Sequence, residues 1–252
     1  MIKIQNSSLE RWQKMYFDAI MGFGKQKCRY GKGGILEMRT MLKVLGEQFP
    51  LEQHSAGEFA KIKVSGMNFT IEKYYVKGIG NVSLMEAKGF FGLMKMDTLI
   101  INPTECDMPL FSYDRVHAMG NDTFIVELYD TMTNNVDLSA IETVKAAYAD
   151  LPDHDLGSHW YDSIKLSESV SKKGKKKETP YFDKLAQEYF KTFVELSKNA
   201  HACDEDKKRE KASVYVEGLL SNGGPSTDIF VKHYGKEKTA KLFRNILFGT
   251  EK

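Results

Sequence analysis

The residues best placed to do chemistry lie between Ile100 and Asp114, in the run INPTECDMPLFSYD. Asp107 stands directly before a Met-Pro pair, and Asp114 follows seven residues later. Pro109 biases Met108 towards extended backbone, which sets Asp107 on a stiff turn beside Leu110 and Phe111. A carboxyl group partly desolvated there would have a raised pKa and keep a proton near neutral pH, as a general acid must. The same residues also read as an Asx turn whose carboxylate organises the loop. His117, two residues after Arg115, faces either a pocket or solvent. Cys106 has no basic neighbour in sequence to lower its pKa and reads as a small packing residue.

Metal, disulfide and nucleotide chemistry find little support. The six histidines make no HExxH, and only His154 and His159 flank a loop at a spacing that zinc would accept. Cys28, Cys106 and Cys203 are far apart and odd in number, so they form no disulfide framework, and a reducing cytoplasm is expected. The stretch GFGKQKCRYGKGG lacks the GxxxxGK[ST] pattern of a phosphate loop. With 36 Lys+Arg against 34 Asp+Glu, the net charge of +2 is no footprint for nucleic acid. Apolar residues at 42% exclude a mainly disordered chain of 252 residues. No stretch approaches the roughly 20 apolar residues of a bilayer span, and the first residues do not read as a signal peptide.

These candidates must be held by elements whose order is legible. Ser7 and Glu10 have capping-box spacing before an apolar series, predicting a helix over 8–21. Ile35, Met38, Leu42 and Leu45 predict a second, ending near Gly46. From Phe59 to Asp130 the period changes to two, as in Ile62/Val64 and Phe69/Ile71. Short turns between such segments imply a meander of about five or six antiparallel strands. Helices then return: a short one closed by Pro152, one carrying Phe182, Leu185, Tyr189 and Phe193, one carrying Tyr215 and Leu219, one ending at Tyr234, and a last over 236–248. The basic run 171–179 between them reads as a surface loop, either solvated or able to steer an acidic partner. Helices, strands and helices again make an α+β chain, expected as one domain over 1–252: a three-layer α/β/α sandwich with a central antiparallel β-sheet.

The segment LIINPTECDMPLFSYD resembles the pattern of the ferredoxin-dependent bilin reductases: a strand, Pro, a short turn, Asp-x-Pro-apolar-Phe and a second Asp. LPDHDLGSHWYDSIKLSES resembles that family's Trp-containing link. Tyr215, the turn SNGGPSTD and HYGKEKTAKLFRNILFG resemble its C-terminal end. The similarity covers roughly 60–250, and the red chlorophyll catabolite reductases share the same fold. The resemblance implies reduction of a linear tetrapyrrole such as biliverdin by single electrons from ferredoxin or flavodoxin. It implies no flavin, nicotinamide or metal cofactor, and a substrate lying between the sheet and the C-terminal helices. It implies Asp107 as the matched proton donor and Glu86 as a second acid. Asp114, Asp228 and His117 are then candidates to bind substrate. No strand between 59 and 103 carries the histidine that several members place before the Asp motif. That departure keeps a second class open: a non-catalytic carrier of a tetrapyrrole or another hydrophobic ligand.

Overall fold

The structure is a computed structural model that describes residues 33–251. The helix expected over 8–21 and most of the glycine-rich stretch after it lie outside the described residues. The chain begins with α1 (Gly33–Gln48) and then builds seven strands with no helix longer than one turn between them. These are β1 (Leu51–His54), β2 (Lys61–Val64), β3 (Met67–Val76), β4 (Gly80–Gly89), β5 (Met94–Pro103), β6 (Leu110–Ala118) and β7 (Asn121–Tyr129). Then come α2 (Ser139–Ala147), β8 (Val170–Lys175), α3 (Thr179–Asn199), α4 (Glu205–Asn222) and α5 (Pro225–Lys241), with a π-helical turn over Leu242–Leu247.

The eight strands form one antiparallel sheet in the order β1-β3-β4-β5-β6-β7-β8, with β2 also paired to β3. Because side chains alternate along a strand, each strand serves both faces. One face carries Tyr74, Leu84, Leu99, Tyr113, Phe124 and Val126, packed against Met38, Met41 and Leu45 of α1 and Phe182, Tyr189 and Phe193 of α3. The other carries Phe69, Ile71, Met85, Ile100 and Tyr129, packed against Tyr215 and Val216 of α4, Phe230 of α5 and the Leu242–Phe248 segment. The expected three-layer α+β sandwich is therefore the architecture found.

Two local details bear on the site. Gly235 (φ +78°, ψ 172°) splits α5 into two helical halves at the division expected between Tyr234 and Lys236. The basic run 171–179 is not a surface loop: β8 pairs with Asn121–Val126 of β7. Its Lys172 is buried, with Nζ donating to Leu151 O (2.8 Å) and Asp153 Oδ1 (2.7 Å). A lysine that satisfies the carbonyls just after α2 pins that segment to the sheet edge.

Candidate functional site

Asp114 sits in mid-strand on β6, on the face that α4 and α5 cover. It pairs with Thr98 of β5 across the ladder, and Thr98 Oγ1 donates to Asp114 Oδ1 at 2.5 Å. Its side chain is half-buried. Met96 of β5 and Val116 of β6 are apolar residues of the same face, as is Ala118 at the end of β6, and each is half-buried. Leu219, Leu220 and Ile229 of the covering helices are half-buried as well. Asp114, these sheet residues and these helix residues thus form a partly exposed strip between the sheet and α4–α5, which is the cleft of this face.

Aromatic rings close one end of that cleft. Tyr129 of β7 lies against Tyr215 of α4 with ring centroids 4.2 Å apart, and Tyr161 meets Tyr129 edge-on at 5.4 Å. Trp160 covers Tyr215 at 5.8 Å. The indole can reach that position only because residue 218 is glycine: a Cβ there would stand 2.1 Å from Trp160 Cη2. Burial raises the pKa of all three tyrosines, so their hydroxyls stay protonated and can donate hydrogen bonds. Tyr129 Oη donates to Glu127 Oε2 at 2.6 Å, and Lys165 Nζ lies 3.7 Å from Glu127 Oε1.

The charge state of Asp114 follows from this setting. Burial pushes its carboxyl up to about 6, the Thr98 hydroxyl pulls it down, and the nearby charge of Glu127 pushes it up again. An acid of that strength keeps a useful fraction of its protons near neutrality, beside flat aromatic walls.

The other expected residues are dispersed. Asp107 lies in the β5–β6 connection, 1% exposed, and its expected raised pKa is corrected by its partners. Burial works against ionisation there, but Thr133 and Asn134 outweigh it and hold the carboxyl below the usual range. Oδ1 accepts from Thr133 N (2.8 Å), while Oδ2 accepts from Asn134 N (2.8 Å), Asn134 Nδ2 (2.7 Å) and Thr133 Oγ1 (3.0 Å). Lys208 Nζ, fully buried, stands 3.8 Å from Oδ1 and donates to Met108 O. Asp107 is ionised and organises loops, which is the Asx-type reading of its sequence. Glu86 pairs across the ladder with Asp97 on the opposite face, forms an ion pair with Lys88, and lines a small cavity with Met38 and Arg39. His117 faces that side too, with Nδ1 3.4 Å from Asp122 Oδ1, and burial keeps it neutral. Asp228 lies in the first turn of α5, where Oδ1 accepts from Gly224 N at 3.4 Å. Of the five residues, Asp114 is the one built into the cleft wall. Thr98, Glu127, Tyr129 and Tyr161 were not anticipated. The available signal was a polar residue at every second position, Ser112 and Asp114, on a strand whose alternate residues are large and buried.

A concavity of about 810 Å³ lies elsewhere, at the start of α2 between Asn135, Ser139 and Glu168. It is shallow and holds no residue of the aromatic cluster. Among the described residues, no group of three or more His, Cys, Asp or Glu is arranged to hold a metal ion. None of the described helices is long and apolar enough to cross a membrane.

No family model matches the sequence, and no curated protein matches it. Among solved structures, the fold is similar to that of phytochromobilin synthase from tomato in complex with biliverdin, with a TM-score of 0.71. The likeness covers 84% of this chain and 82% of that one at 10% identity. At that identity the likeness is one of fold.

Proposed function

We propose that this protein binds a linear tetrapyrrole in the cleft between the sheet and α4–α5 and reduces it, with Asp114 as the proton donor. The observation that carries the reading is Asp114 itself: an acid held part-protonated near neutral pH, on the wall of an aromatic cleft, in the fold of phytochromobilin synthase. In this reading the electrons arrive singly from ferredoxin or flavodoxin. An added electron makes the conjugated pyrroles more basic. The Asp114 O–H bond then breaks as a bond to hydrogen forms on the ligand atom nearest the carboxyl. General-acid help of this kind is worth about 10²–10⁴-fold. Tyr161 and Tyr215 supply flat surfaces for the rings, and their neutral hydroxyls can donate to ligand oxygens. Asp107, Glu86 and His117 act through the fold in this reading, since each is committed to partners away from Asp114.

A carrier without turnover is the second reading. It is favoured by the absence of any histidine beside Asp114, where the strand partner is Thr98. One experiment separates the two. Biliverdin is added anaerobically, its visible band is followed, and reduced ferredoxin is then supplied. A shifted band that bleaches with time supports reduction, and bleaching at least tenfold slower in Asp114→Asn with unchanged binding supports the assigned donor. A shifted band that persists in the wild-type protein would leave a carrier, and no shift at all would remove the tetrapyrrole.

A further inference from the structure

Reduction of one double bond takes two electrons and two protons, and Asp114 holds one proton at a time. In the proposed complex the ligand lies over Asp114, and β7 offers a route by which the replacement can come through the protein.

In the β6–β7 register Asp114 pairs with Ile125, which makes Glu127 its diagonal neighbour on the same face. Such neighbours have Cβ atoms about 7–8 Å apart, within reach of long side chains directly or through one water. Glu127 Oε2 takes the Tyr129 hydroxyl, while Oε1 is buried, makes no hydrogen bond and faces Lys165 Nζ across an ion pair of 3.7 Å. A second cavity, of about 190 Å³, lies on the β8 side of Glu127 and is lined by Glu127, Lys165, His154, Asp155 and Ser171. Ser171 Oγ, on that wall, is also buried without a hydrogen bond. Lys165 links the wall to the surface through Asp162, 3.0 Å away. Burial and the charge of Lys173 keep His154 neutral, so it adds no charge to this cavity. The groups facing the Asp114–Glu127 pair are Thr98 from β5, Tyr129 from β7, Tyr161 and Lys165 from the α2–β8 connection, and Tyr215 from α4.

We infer that Glu127 is a positioning residue that returns the proton to Asp114, fed from this second cavity. The inference rests on the proposed reduction. In the step, the Glu127 carboxylate takes a proton from water in the cavity, and that O–H bond breaks as an O–H bond forms on the Asp114 carboxylate, leaving Glu127 as the carboxylate again. No electron moves, and the co-reactant is a solvent proton.

The test compares wild type, Glu127→Gln and Glu127→Asp with biliverdin and reduced ferredoxin. In Glu127→Gln the first protonation, observed in a single turnover, slows by no more than the about threefold that half a pH unit at Asp114 carries, while later turnovers slow by about thirtyfold or more. Glu127→Asp restores at least half the later rate. Wild-type steady-state turnover in Glu127→Gln, or slowing of both phases by the same factor, overturns the inference. A second measurement needs no turnover: carbon-13 NMR titration of the Asp114 carboxyl in the ligand-free protein. A midpoint for Asp114 at least about half a pH unit lower in Glu127→Gln than in wild type supports a coupled pair. Superimposable curves overturn it. If wild-type protein fails to reduce biliverdin while the titration shows the pair, the substrate assignment falls and the Glu127–Asp114 link stands.

Discussion

Asp114→Asn should make the protein more stable, and by an amount that depends on pH. The folded protein raises the Asp114 carboxyl from 3.8 to about 6. Between those values the folded state binds more protons than the unfolded state, so wild-type stability falls as pH rises through this window. Above it both states are ionised, and the whole cost is present. A shift of about two units at about 1.4 kcal/mol each gives roughly 3 kcal/mol at pH 8. Because the side chain still meets the water of the cleft, about 1–3 kcal/mol is the expected gain. Asparagine keeps an oxygen to accept from Thr98 Oγ1 and carries no charge, so little else is lost. At pH 4.5 most of the wild-type penalty is absent, and the same treatment leaves about 1 kcal/mol or less. Urea unfolding of both proteins at the two pH values measures this directly. An equal change at both pH values, or a loss at pH 8, would show that the fold does not strain against this carboxylate. The reasoning behind its role as an acid would then fail.

Asp107→Asn is expected to lose about 1–3 kcal/mol at pH 7, because a carboxylate accepting four hydrogen bonds is replaced by a side chain with one acceptor. That loss should shrink on acidification through the depressed range of the carboxyl, while biliverdin binding persists; a folded variant that loses binding would return Asp107 to the site. Lys208→Met removes the buried cation between Asp107 and Met108 O and should cost about 3–5 kcal/mol in urea unfolding; a change within about 0.5 kcal/mol would discount the pair. Gly218→Ala forces the indole of Trp160 away from α4 and should cost about 1–3 kcal/mol. In a Trp12→Phe background the Trp160 emission should move to the red, and an unchanged spectrum would contradict the packing.

The strands were legible because their two-residue alternation survives on both faces, as in Ile62/Val64 and Phe69/Ile71. β8 escaped because Lys172 is an exception to the rule that buried positions are apolar: its stem packs while its ammonium serves carbonyls of another element. The site was legible in part. The run ending at Asp114 stands out by residue types, but which of its aspartates has a raised pKa cannot be read from them. The donors that hold Asp107 ionised come from Thr133 and Asn134, 26 and 27 residues further on. The burial that raises Asp114 comes from a cleft wall supplied partly by α4, about a hundred residues away. Glu86 and Asp114 belong to opposite faces because of ladder register, and register is a long-range property.

Asp114 and Arg115 are consecutive residues facing opposite layers. Arg115 is fully buried, and its guanidinium grips Asp122 through two contacts, 2.6 and 2.7 Å, and reaches Asp183 of α3 at 3.1 Å. β6 is thereby clamped from behind, one peptide unit from the carboxyl that points forward. The strand cannot roll about its own axis without breaking that clamp, so the direction of the Asp114 carboxyl is dictated from a layer that no ligand in the cleft touches. In the proposed reduction, variation at Arg115, Asp122 or Asp183 would therefore work as a remote aiming adjustment, turning Asp114 towards a different atom of the ligand while every residue lining the cleft stays the same.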